Sequence, residues 1–140
     1  MPSILDVAQY ILSKNNNLMA TMQVHRLCFM AQCYTCYTYG ERLYPETHYV
    51  GRTAPICSAL YKLHRGKFLM PNLSEYAQPL VGGDRQIVEY MLARFENVTG
   101  RDMAHYCVEL GIATGKFEMP FNPQPITVAQ IKTIGGRVFG

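Results

Sequence analysis

A mainly α fold is expected for this chain: a single compact domain over residues 1–140, with about six helices around a central buried helix and one small β-hairpin. Three observations lead there. Residues 21–40, TMQVHRLCFMAQCYTCYTYG, are apolar on nearly every helical face, and a helix of that kind is normally buried among neighbours. Five further segments carry apolar residues at helical spacing, each opened by a capping residue. The β-forming stretches are only three or four residues long.

Ser3 is expected to cap the first helix, with Asp6 placed three residues on as in a capping box. Ile4, Val7, Ala8, Ile11 and Leu12 give its inward stripe, and Asn15, Asn16 and Asn17 end it. Thr21 is expected to cap the central helix. Val24, Leu27, Cys28, Ala31 and Tyr34 share one of its faces, and Gly40 supplies a left-handed stop. A short strand is expected at 47–50, pairing with a second at 68–70. Between them, Thr53 opens a helix with Pro55 in its first turn, and Gly66 closes it. Residues 71–83 read as a loop. Asp84 then caps a helix bearing Ile87, Val88, Met91, Leu92 and Phe95. Thr99 caps the next, with Met103, Tyr106, Cys107 and Leu110 inward and Gly111 as its stop. Residues 115–126 hold three prolines and are expected to lack regular structure. Thr127 caps a last short helix with Val128, Ile131 and Ile134, closed by Gly135 and Gly136.

Composition narrows the function. The 140 residues suffice for one sizeable core. Apolar residues make up 49% and charged ones 16%, which excludes a disordered chain. The formal charge is +3 without a Lys/Arg run, so no direct nucleic-acid contact is expected. No apolar run approaches the roughly 18–20 residues of a membrane span, so no membrane partner is expected either. The start lacks the blocks of a signal peptide. Five cysteines is an odd number, and reduced thiols in a cytoplasm are the expectation.

Chemistry-bearing motifs are few. Cys33-x-x-Cys36 would share a helix face, but no second pair at similar spacing completes a zinc site; small hydrophobes in a tight helix are the expectation. His25, His48, His64 and His105 fall in no metalloprotease or nucleophile-elbow pattern. Gly82-Gly83-Asp84 reads as a turn rather than an anion cradle. Neither metal nor cofactor nor enzymatic activity is expected. Tyrosine, by contrast, is abundant at ten residues. Tyr34, Tyr37, Tyr39, Tyr44, Tyr49 and Tyr61 crowd one third of the chain with Arg26, Arg42, Arg52 and Arg65. Tyr and Arg are enriched at protein interfaces, so these residues form either core with hydroxyls at the rim or a protein-binding face.

The opening SILDVAQYIL, the run Thr21-Met22-x-x-x-Arg26-Leu27-x-x-x-Ala31-Gln32 and the stretch Tyr39-Gly40-Glu41-x-Leu43 together resemble the Panacea domain, the family of SocA-like antitoxins. Where that family reads Leu-x-Lys-Leu-Leu-Tyr-x-Ala-Gln, this chain has Val24, Arg26, Leu27, Cys28 and Phe29 in the leading places. The family's Tyr-Gly-Pro-Val block resembles Thr53-Ala54-Pro55-Ile56, followed by Leu60 and Tyr61. Residues 3–66 carry the resemblance and the remainder follows only loosely. The Thr-His pair and Trp of the family's C-terminal half have no recognisable counterpart, as in a divergent, stand-alone member.

The resemblance implies a non-enzymatic, cytoplasmic binder that neutralises a cognate protein toxin by contact, in some relatives as an adaptor to a protease. Because such domains also occur on phages and prophages, the alternative is an inhibitor of a host defence or nucleic-acid-processing complex. An enzyme is the third reading, and self-association is left open. The partner-binding face is expected on the polar minority of the central helix and the following helix: His25, Arg26, Phe29, Gln32, Arg52, Tyr61, His64 and Arg65. In the alternative, Arg26 and Gln32 are buried and hold the 47–55 segment or helix ends by hydrogen bonds.

Overall fold

The computed structural model describes residues 1–116 and 122–140. Six helices and one hairpin occur among them: α1 (Ile4–Lys14), α2 (Thr21–Tyr39), β1 (His48–Val50), β2 (Pro55–Cys57), α3 (Ser58–His64), α4 (Gly82–Arg94), α5 (Gly100–Glu109) and α6 (Val128–Phe139). The chain is a compact, mainly α domain, as its periodicity predicts. Part of the expected irregular stretch, residues 117–121, lies outside the described residues.

Helix α2 organises the rest. Thirteen of its 19 residues are buried, and α1, α4, α5, α6 and β2 all pack on it. Its closest neighbour is α6, which does not stop at Gly135 and Gly136 as expected but runs on to Phe139. The reason is tertiary. A Cβ on Gly135 would lie 2.4 Å from the Cys33 carbonyl oxygen and 2.6 Å from Tyr37 Cβ. Glycine here lets two helix backbones approach, which offsets its poor helix propensity of about 1 kcal/mol.

Three caps form as expected. Ser3 and Asp6 make a reciprocal capping box, Thr127 and Gln130 make another, and the Thr99 hydroxyl accepts from the Asp102 amide. Asp6 also accepts from the Gln78 amide at 2.7 Å, tying the 71–81 loop to α1. Two expected caps are corrected. Thr21 is the first residue of α2 and Ala20 the N-cap, without a side-chain bond; the Phe68 carbonyl accepts from the Thr21 amide at 2.9 Å instead. Val81 precedes α4, and Asp84 sits in its first turn, where a carboxylate complements the helix dipole.

The hairpin is a further correction. Residues 55–57 are not a helical first turn but strand β2, antiparallel to β1 in the register His48↔Cys57, Tyr49↔Ile56, Val50↔Pro55. Proline at the first residue of a strand is tolerated despite its missing donor. Residues 68–70 do not join this hairpin. They lie along the entry to α2, where Leu69 bridges Ala20 and the Met70 amide donates to the Met19 carbonyl at 2.9 Å. The outer side of β1 is covered by residues 124–126, through Val50 N–H to Gln124 O at 3.0 Å and Ile126 N–H to His48 O at 2.9 Å. The turn beyond β1 is held to residues 113–115 by Thr114 N–H to Gly51 O and Gly115 N–H to Arg52 O, each 2.8 Å. Among the described residues no helix is long and apolar enough to cross a membrane.

Candidate functional site

His25, Arg26 and Gln32 of α2 are buried, and each has a structural task. The Gln32 side chain brackets the strand-free segment after α2: its Oε1 accepts from Leu43 N–H at 2.6 Å and its Nε2 donates to Tyr44 O at 2.8 Å. The Tyr44 hydroxyl lies 2.9 Å from Cys28 O and 2.7 Å from His48 Nε2. His48 Nδ1–H in turn donates to Pro55 O at 2.9 Å, since a carbonyl can only accept. Arg26 Nε donates to Thr53 O at 2.8 Å, and its Nη1 reaches Gln23 Oε1 at 3.0 Å and Gly100 O at 3.4 Å.

His25 and His64 complete the set. His25 Nδ1 accepts from the Cys57 amide at 3.1 Å, which places the hydrogen of the neutral ring on Nε2. That nitrogen is 2.7 Å from His64 Nε2, so His25 donates and His64 accepts. A proton added to either ring would oppose two donors, at the His25–His64 contact or at the Cys57 amide. Burial pulls the pKa of His25 well below 6.5, and the nearness of His48, His64 and the Arg26 cation further disfavours a charge there. Burial likewise lowers His64 and brings His48 down to about 4. The five cysteines are all buried, and burial pushes their thiols up, Cys107 to about 12. They are packing groups and remain protonated.

These shifts give a pH dependence with a definite sign. Below about 6.5 the unfolded chain takes up protons that the folded chain refuses. Stability is therefore greatest above pH 6.5 and falls as the pH drops toward 5; His48, with its folded pKa near 4, contributes a slope approaching about 1.4 kcal/mol per pH unit, and His25 and His64 act in the same direction. Urea unfolding at pH 7.5, 6.5, 5.5 and 5.0 measures it; a flat profile would contradict the buried neutral rings.

The eight expected contact residues separate into two sets. His25, Arg26, Phe29, Gln32 and His64 are buried and serve the interior, so they are not surface contacts in this fold. Arg52, Tyr61 and Arg65 are exposed. Two of these three meet in a cleft of about 490 Å³ lined by Met22, Arg52, Thr53, Ile56, Tyr61, Gly115 and Lys116. Its floor is apolar and aromatic; its rim carries two cations. Tyr61 packs edge-on over His64, with ring centroids 5.3 Å apart, and Arg26 fixes Thr53 from behind. Arg65, at the C-cap of α3, lies one turn beyond Tyr61.

Sequence reasoning misses Met22, Ile56 and Lys116. Met22 falls off the apolar stripe of α2, and the long-range pairing of residues 51–52 with 113–115 brings Lys116 near Arg52. No short-range pattern encodes that pairing. Of the crowded tyrosines, Tyr44 is core, Tyr34 and Tyr49 are half-buried, and Tyr37, Tyr39 and Tyr61 are exposed. No family model, curated protein or solved structure matches the chain.

Proposed function

We propose that this protein is a non-enzymatic, antitoxin-like binding module that neutralises a partner protein by direct contact in the cytoplasm. The observation that carries the reading is the cleft beside the hairpin: an apolar floor with Tyr61 exposed at 42% and cations at its edge. A large amphipathic side chain in a concave surface with a polar rim is the usual core of a protein interface. The resemblance of residues 3–66 to the Panacea domain points the same way, toward a protein toxin as the partner and a protease as the destination in the adaptor form.

The test is capture with the tagged chain from its native cytoplasm, followed by co-expression of each captured protein. A single small toxic protein, rendered harmless by this chain, is the expected result. A large defence or nucleic-acid-processing complex instead would favour a phage-type inhibitor. Absence of any partner would overturn the binding-module reading. Tyr61→Ala should weaken partner binding about tenfold or more while the chain stays folded, the behaviour of an interface anchor. Unchanged affinity, read by titration calorimetry, would remove this cleft from the interface.

A further inference from the structure

We infer that a separate concave surface, between the C-terminal end of α2 and the first turns of α4, receives an arginine side chain presented by another protein. The inference rests on the protein-binding reading above but concerns a different place. This surface shares no lining residue with the cleft beside the hairpin. Its rings and its carboxylates both point to a cation.

The rings come from two helices. The surface encloses about 430 Å³, and Tyr34, Tyr39 and Tyr90 line it. Tyr34 lies against Tyr90 with centroids 4.7 Å apart and planes tilted by 30°. It meets Tyr39 at 90°, with centroids 6.3 Å apart. Rings at right angles make a corner with an aromatic face on one wall, and that electron-rich face attracts a cation. Tyr39 and Tyr90 are 58% and 48% exposed, so both present free ring surface.

The carboxylates are Glu41 and Asp84, which line the same surface. Gly40, left-handed at φ 76°, turns the chain at the end of α2, and Glu41 follows it directly. Asp84, Ile87 and Tyr90 recur at three-residue spacing along α4, a row on one helix face. Among the described residues neither carboxylate enters an ion pair. Arg42 lines the surface too, and its Nη1 donates to Pro45 O at 3.1 Å. Two carboxylates therefore stand against one cation that a carbonyl already engages. The α4 dipole tempers Asp84 without cancelling its charge.

Guanidinium suits this set better than ammonium. It is planar, stacks on a ring, and directs a fork of N–H donors at carboxylates, whereas ammonium is compact and strongly hydrated. Buried Leu43 and half-buried Ile87 offer an apolar bed for the alkyl stem. The same carboxylates repel phosphate, which sets nucleic acid aside.

Titration of the intact chain with acetyl-Gly-Arg-Gly-amide, followed by amide NMR shifts, tests the inference. The citrulline and lysine counterparts are the comparison. The Glu41, Gly83 and Ile87 amides are expected to shift. Arginine should bind at least about fivefold tighter than citrulline, its neutral isostere, and tighter than lysine. Glu41→Gln combined with Asp84→Asn should abolish that preference, and Tyr90→Leu should weaken arginine binding about fivefold. Circular dichroism checks that the variants fold, and the charge variant alone decides if Tyr90→Leu does not. Shifts confined to other regions, equal affinity for arginine and citrulline, tighter lysine binding, or a preference that survives the charge variant would overturn the inference. A native partner captured equally well by the wild type and the charge variant would overturn it too, while leaving the binding-module reading intact. Failure to capture any partner, with the arginine titration positive, would sink that reading and leave the guanidinium site standing.

Discussion

Gly135→Ala is expected to lower the unfolding free energy by about 3 kcal/mol, the upper part of the range for overpacking a filled interior. The added methyl would lie 2.4 Å from the Cys33 carbonyl oxygen. That atom is helix backbone in the most buried element of the chain, so it cannot swing aside as a side-chain tip would. Relief requires α6 to move away from α2, which opens gaps along the Ile131, Ile134 and Val138 face. Alanine's better helix propensity returns only about 1 kcal/mol. Gly136→Ala is the internal control. Its Cβ would meet Tyr37 Cε1 at 3.3 Å, a ring that can give slightly, so that variant should be near neutral. Thermal unfolding reads both: for a domain of this size the Gly135 variant should melt roughly 10 °C lower. Equal melting temperatures for the two variants would refute the close approach of α2 and α6.

The glycine pair also shows where sequence reading stops. Gly135-Gly136 is a terminator by local propensity, and only the neighbouring helix makes it a packing device. Pro55 has the same character. Just after Thr53 it reads as a helix start, but the pairing of Val50 with Pro55 and of His48 with Cys57 makes it the first residue of a strand. Elements whose signals are local, such as the Ser3–Asp6 box, the Thr127 cap and the all-round apolarity of α2, are legible because cap and periodicity lie within a few residues of each other. The cleft was half legible. Arg52 and Tyr61 stand out as polar or amphipathic residues near the hairpin. Arg26 and His25 carry the same chemistry in one dimension, yet they are consumed by Thr53 O, Cys57 N–H and His64. Nothing in residue type distinguishes a cation that meets solvent from one that braces a turn; only the direction of the helix face does.

Gln32→Met should remove about 3 kcal/mol of stability although it preserves side-chain length and increases apolarity. The glutamine amide satisfies three buried backbone groups that no secondary structure pairs: Leu43 N–H and, at a longer 3.4 Å, Tyr44 N–H through Oε1, and Tyr44 C=O through Nε2. Each group left without a partner in the interior costs about 1–3 kcal/mol of desolvation that folding no longer returns. The thioether can neither donate nor accept well enough to replace the amide. Leu43 and Tyr44 are themselves 2% and 0% exposed, so water cannot step in without opening the core. Thr35→Val provides the comparison. Thr35 Oγ1 donates to Ala31 O at 2.8 Å, a carbonyl already used within its helix, and its loss should cost less than about 1 kcal/mol. Hydrogen exchange adds a local readout. In the Gln32 variant the Leu43 amide should lose protection by more than the global destabilisation accounts for, while amides of α6 follow the global change alone. Uniform loss across both regions would mean that the bracket contributes only to overall packing and does not anchor the path from α2 into the hairpin.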